Sequence, residues 1–232
     1  MDSFVVTCEH GGNRIPPAYR RFFATWRDVL ETHRGWDPGA LRLAREFAKA
    51  FDAPLVESTT SRLLVDLNRS IGNPDLFSDA IPREPPELRT EIVTTHYLPY
   101  RERAESLVEQ AVYRGHRVVH LSSHSFTPVL DGDVRTADVG LLYDPARPGE
   151  AALCACWKET LADLAPALRV RRNYPYLGKG DGLTSHLRKR FGPADYIGVE
   201  LEVNQAFVLG PGAPWKALRG HLVASLRTAT NR

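Results

Sequence analysis

Cysteine is scarce in this chain of 232 residues: there are three, at positions 8, 154 and 156, and three thiols cannot all pair with one another. That excludes a secreted scaffold stapled by disulfides. An excess of charge of one sign is also missing. Thirty Lys and Arg stand against 28 Asp and Glu, a net +2. So small an imbalance gives no argument for a nucleic-acid partner. No apolar run approaches the roughly 20 residues of a membrane helix, so no membrane partner is expected. The opening Met-Asp-Ser-Phe-Val-Val-Thr carries no basic region ahead of an apolar stretch. A signal peptide is therefore not expected, and a reduced, cytoplasmic setting is. Internal repeats and low-complexity tracts are absent too, which removes collagen-like and coiled-coil classes.

What is present is ordinary for a globular enzyme-sized chain: 43% apolar and 25% charged residues. A domain of this length buries roughly 70% of the surface of its unfolded chain, so no metal is needed merely to hold it together. One domain over residues 1–232 is expected. Short β-rich runs alternate with helix-like stretches. Phe4–Cys8, Pro54–Glu57, Val118–Ser122, Val139–Tyr143 and Tyr196–Val203 read as strands, and Leu63–Leu67 as a further short one. Gly39–Phe51 places Ala40, Leu41, Leu43, Ala44, Phe47, Ala48 and Phe51 on one helical face. His96–Tyr113, Ala151–Leu168, Thr184–Phe191 and Trp215–Leu226 read as helices, and Ser70–Pro86 as a long loop. Strands separated by helices predict an α/β fold: a three-layer α/β/α sandwich around a mixed, mostly parallel sheet.

In such sheets ligands bind beyond the carboxyl ends of the strands. His10 follows the first strand, and Gly11-Gly12 leaves room beside its ring, though the two glycines could equally make only a turn. Asp37 precedes the first long helix, where a lone Asp also reads as a cap. His124 emerges from the Val118–Ser122 run among small polar residues, where a satisfied core histidine is the plainer alternative. His120 is read as structural. Strand alternation puts Glu200 and Glu202 on one face, and two acids in an apolar strand are costly unless paired, exposed or working. Two imidazoles and a carboxylate are a typical catalytic zinc set, and a free carboxylate beside them can move protons.

The motifs TCEHGGNRIP (residues 7–16), GWDPG (35–39), RLLVDLNR (62–69), SSHS (122–125) and GVELEVNQ (198–205) carry a resemblance through almost the whole chain. The sequence resembles the N-formylglutamate amidohydrolase family, similar in architecture to zinc carboxypeptidases and other zinc exopeptidases. The resemblance implies hydrolysis of the amide bond of a small-molecule N-formyl or N-acyl amino acid. It makes His10 and His124 ligands of Zn2+ or another divalent ion, Asp37 the third ligand with Asn13 as its rival, and Glu202 the general base. A formylglutamate-like ligand carries carboxylates, so arginine is expected in the pocket. Arg62 or Arg69 is assigned to clamp a substrate carboxylate, with Asn68 assisting; Lys179 and Arg188 are weaker candidates. The stretch 173–182, NYPYLGKGDG, departs from the family pattern and is expected to shape the substrate pocket. The rival readings are a zinc carboxypeptidase or amidase acting on another peptide-like substrate, and a binding protein that keeps the fold without catalysis. A serine nucleophile is disfavoured because no Gly-x-Ser-x-Gly elbow exists. Cys8 reads as a small core residue.

Overall fold

Alternation along three central strands sets the architecture. This structure, a computed structural model, describes residues 2–83, 85–210 and 212–231. Strand β1 spans Asp2–Cys8, β2 Leu55–Glu57, β3 Arg117–Phe126, β4 Val129–Leu130, β5 Asp133–Val134, β6 Val139–Leu142, β7 Val170–Arg172 and β8 Tyr196–Asn204. The helices are α1 (Arg27–Leu30), α2 (Ala40–Ala50), α3 (Pro86–Ile92), α4 (Leu98–Tyr113), α5 (Pro148–Leu164), α6 (Leu183–Arg190), α7 (Ala206–Leu209) and α8 (Gly212–Thr230). Six strands form one sheet in the order β2-β1-β3-β8-β6-β7, and β4-β5 is a separate hairpin. The β2-β1-β3-β8 ladder is parallel, β6 runs antiparallel to β8, and β7 is parallel to β6. The sheet is therefore mixed and mostly parallel, as the alternation of elements implies.

Val6, Cys8, Val119, Leu121, Ile197, Val199, Leu201 and Val203 face one side of the sheet. There they meet Leu43 and Phe47 of α2, Trp157 and Leu161 of α5, and Leu222 and Leu226 of α8. Val5, Val118 and Tyr196 face the other side, against Tyr100, Ala104 and Val108 of α4 and Leu183 and Leu187 of α6. Helices thus cover both faces. Burying one apolar stripe of this kind contributes roughly 1.5–3 kcal/mol per large side chain.

On the α4–α6 side the apolar lining stops towards the carboxyl ends. Thr7 and Glu9, Ser122 and His124, and Glu200 and Glu202 follow in alternation from Val5, Val118 and Tyr196. The β3–β8 register sets Ser122 opposite Glu200 and His124 opposite Glu202. This polar end of one sheet face is the floor of the site. His120 lies one step below it, fully buried, with Nε2 2.9 Å from Thr7 Oγ1 and Nδ1 2.6 Å from Tyr196 Oη. Burial pushes its pKa down to about 4, so it stays neutral, consistent with a structural role.

Two expectations need correction. Leu63–Leu67 is not a strand. Its leucines and valine are buried, but its backbone bonds are local turns (Leu64 N to Ser61 O, 3.0 Å; Arg69 N to Asp66 O, 3.1 Å), with Asp66 N donating to Leu76 O at 2.9 Å. A short apolar run fits a buried turn as well as a strand. The third strand also runs further than expected, so His124 lies within β3 rather than after it. Small serines on both sides of the strand let it continue under polar cover. Strand β7 and the β4-β5 hairpin carried too few apolar residues to read from sequence.

Candidate active site

Three loops converge above the polar floor. The chain turns sharply after His10 at Gly11, where a Cβ would come within 2.7 Å of Ser58 O. The loop to α2 is tied back by Asp37 N donating to His10 O at 2.9 Å. It then passes through Gly39 at φ +83°, a left-handed position packed beneath Val208 and Trp215 where a side chain would be strained. Asp37 is accordingly no cap: its carboxylate turns inward and is 4% exposed.

Asp37 Oδ2 lies 3.0 Å from Nδ1 of His124 and 3.4 Å from Nδ1 of His10. The two rings are 5.1 Å apart, and one donor atom from each of the three residues fits within 4.8 Å. Both histidines therefore turn Nδ1 to a common point. Their far nitrogens are held from behind. His10 Nε2 donates to Asp66 Oδ1 at 2.7 Å. His124 Nε2 lies 2.8 Å from Ser122 Oγ, which donates to Glu9 Oε2 at 2.8 Å, and Glu9 Oε2 itself lies 3.1 Å from Nε2. A carboxylate can only accept here, so His10 Nε2 carries the hydrogen and its Nδ1 is left with a lone pair, while His124 faces a carboxylate at both nitrogens, Glu9 at Nε2 and Asp37 at Nδ1. Tyr100 Oη adds a further bond to Glu9 Oε1 at 3.1 Å.

This geometry fits a cation. His10 Nδ1 is a buried nitrogen with no hydrogen-bond partner among the described residues. Burial opposes the charged forms of Asp37 and His124, yet each is driven towards its charged form. Asp37 is held low by His10, His124 and Arg62, and His124 is pushed up by its bonds to Asp37 and Glu9. Asp37 and Glu9 thus favour positive charge at this point. Two imidazole nitrogens and a carboxylate oxygen are a donor set that zinc and other first-row divalent ions accept, and backing carboxylates are their usual support.

Arg62 sits beside the cluster. Its Nε and Nη2 donate to Asp66 Oδ2 at 3.2 and 2.7 Å, and Nη1 is 3.6 Å from Asp37 Oδ1. Its positive charge holds Asp66 well below the usual carboxylate range, against the opposing effect of burial. The turn at 61–69 makes this possible, because a strand would have separated Arg62 from Asp66. Glu202 is the contrary case. It is 6% exposed, its Oε2 has no partner among the described residues, and burial pushes its pKa up to about 8 despite the opposing charge of His124. Its neighbour Glu200 instead accepts from Thr184 Oγ1 at 2.5 Å.

His10, Asp37, Arg62, Asn68, Arg69, His124, Glu200 and Glu202 line one cavity of about 450 Å³. Arg69 donates Nη1 to Asp181 O at 3.0 Å, while its Nε is buried without a partner among the described residues. Asn68 Oδ1 accepts from Leu183 N at 2.7 Å, at the start of α6. Asn13 is not brought to the cluster. Beyond the glycine turn, Arg14 bridges to Thr60, and Asn13 lines a separate depression with Arg14 and Arg20. Lys179 does not line the cavity, and Arg188 is consumed by Glu150, to which its Nε donates at 2.9 Å. Glu9 and Asp66 are the residues that sequence reasoning passed over as parts of the site. Each is an acid inside an apolar motif, and that cost was the available signal.

Comparison with known proteins gives the family and agrees with the fold. Residues 2–209 match the family model described as N-formylglutamate amidohydrolase. The solved structure of a gene product from Agrobacterium tumefaciens is 29% identical, with a TM-score of 0.83, over 99% of this chain and 90% of that one. The N-formylglutamate amidohydrolase of Ralstonia eutropha is 18% identical, with a TM-score of 0.69, over 98% and 93%. At that identity the likeness shows the fold. No curated protein matches the chain.

Proposed function

The chain belongs to the N-formylglutamate amidohydrolase family, and we propose from this that it hydrolyses the amide bond of an N-formyl or other N-acyl amino acid with a divalent ion, zinc first among the candidates, held by His10, Asp37 and His124. One observation carries the reading. A buried carboxylate with an unpartnered oxygen, Glu202, shares a cavity with three converging donor atoms. When bound, such an ion supplies Lewis acidity that polarises a carbonyl and makes water acidic.

The protein's own groups do the rest. Asp66 and Glu9 fix the tautomer and tilt of the two imidazoles. Arg62 offsets the charge of Asp66 and Asp37. Glu202 acts as general base: its Oε2 takes the proton of the attacking water and returns it to the leaving nitrogen. Burial raises the proton affinity of this carboxyl, which suits holding the proton between its uptake from water and its return to the leaving nitrogen. The expectation that either arginine clamps the substrate narrows to Arg69, because the donors of Arg62 are directed at Asp66 and Asp37. Arg69 offers its buried Nε to the substrate carboxylate, and Asn68, with Oδ1 committed to the start of α6, offers its amide nitrogen.

The test is to purify the protein, determine its metal by elemental analysis and measure amine release from a panel of N-formyl and N-acetyl amino acids. Bound divalent metal with turnover supports the reading. Bound metal with no turnover of any acyl amino acid moves the protein to peptide-like substrates or to binding alone.

A further inference from the structure

The cavity joins one uncommitted guanidinium to an apolar wall. Resting on the amide-hydrolase reading, we propose that its substrate is an N-acyl amino acid with a single carboxylate and an apolar side chain, seated on a wall of Phe126, Tyr176 and Leu177.

Charge comes first. Among the described residues lining the cavity, Arg62 and Arg69 are the only arginines or lysines. Arg62 is committed to Asp66 and Asp37 by the contacts given above, which leaves Arg69 as the guanidinium with donors to spare. One planar carboxylate satisfies it. A second carboxylate away from the donor triad would meet Asp181 and Glu200, which line the same space. Like charge at close range is a strong selector against a ligand.

The wall comes second. Phe126 is 2% exposed, whereas Tyr176 and Leu177 are 47% and 64% exposed, large apolar side chains held open at the cavity mouth. Their loop is not free to swing. Asn173 Oδ1 accepts from Tyr143 N at 3.0 Å and from Gly178 N at 3.1 Å, bracketing the pair. Arg188 Nη1 donates to Gly178 O at 2.5 Å. Arg135 stands behind the wall: its guanidinium lies over the Phe126 and Tyr176 rings, 5.9 and 5.0 Å from their centroids, and donates to Tyr176 Oη at 3.0 Å. Pre-set apolar surface of this kind binds a side chain without the cost of ordering a loop. The stretch 173–182, which carries Tyr176 and Leu177, therefore sets the choice of amino acid.

The experiment compares kcat/KM for N-formylphenylalanine, N-formylleucine and N-formylglutamate, and the binding of the same compounds by calorimetry. The two apolar substrates are expected to lead by about tenfold or more, the usual span for a hydrophobic subsite. Leu177→Arg is expected to move the phenylalanine-to-glutamate ratio by about tenfold towards glutamate, a ratio that partial misfolding does not alter. Turnover that favours N-formylglutamate overturns the selectivity and leaves hydrolysis standing. Selective binding of the apolar compounds without turnover keeps the selectivity and overturns hydrolysis. Binding of none of them overturns both. An unmoved ratio in the variant overturns the assignment of the wall.

Discussion

Replacing Glu202 with glutamine isolates the most unusual carboxyl in the protein, and the outcome depends on pH in a direction that can be worked out. Burial raises its pKa from 4.5 to about 8 in the folded chain. His124 and Arg62 pull the value down, while Asp37 and Glu200 push it up. A carboxyl raised on folding is bound to its proton more tightly in the native state. Its contribution is harmless below the unfolded pKa, and its cost grows as pH rises from 4.5 through 8. At 1.36 kcal/mol per unit, the cost is about 2 kcal/mol at pH 6 and approaches about 5 kcal/mol by pH 9. Glutamine has the same shape and no charge to bury. Chelator-treated Glu202→Gln protein should therefore match the wild type near pH 4 and become progressively more stable than it up to pH 9. Urea unfolding midpoints at four or five pH values, taken as the difference between the two proteins, measure this directly. The same variant should lose roughly 10²- to 10⁴-fold in turnover, since a general base is gone. A stability difference that stays flat across this range would refute the buried, unpartnered carboxyl. Undiminished turnover would refute its role as base.

His10→Ala and His124→Ala should each lower the metal content of the purified protein, read by elemental analysis, with the far-ultraviolet circular dichroism kept. Asp66→Asn and Glu9→Gln remove the negative charges behind the imidazoles without touching the donor triad; chelator competition should report a loss of metal affinity of about 10- to 100-fold. Arg69→Lys keeps the charge but loses the planar fork, so KM should rise about tenfold or more with kcat changed less. A fall in kcat alone would place Arg69 elsewhere in the reaction.

The alternation of strand and helix was legible in the sequence, and so was the placing of His10, Asp37, His124 and Glu202 near strand ends. These are local properties: periodicity of 2 or 3.6 and the cost of an acid or imidazole in an apolar run show within a few residues. The family motifs added the pairing of those residues with a reaction class, and the match over residues 2–209 bears out the family. Which nitrogen of each histidine faces Asp37 was decided only by tertiary structure, because it depends on Asp66 and Glu9 lying behind the rings. The turn that swings Arg62 onto Asp66 hides in an apolar run that reads as a strand. Asn13 sits three residues from His10 yet leaves the site, because a glycine turn redirects the chain. Strand register and loop closure set these distances, and both are settled between segments far apart in the chain, where no window of sequence can record them.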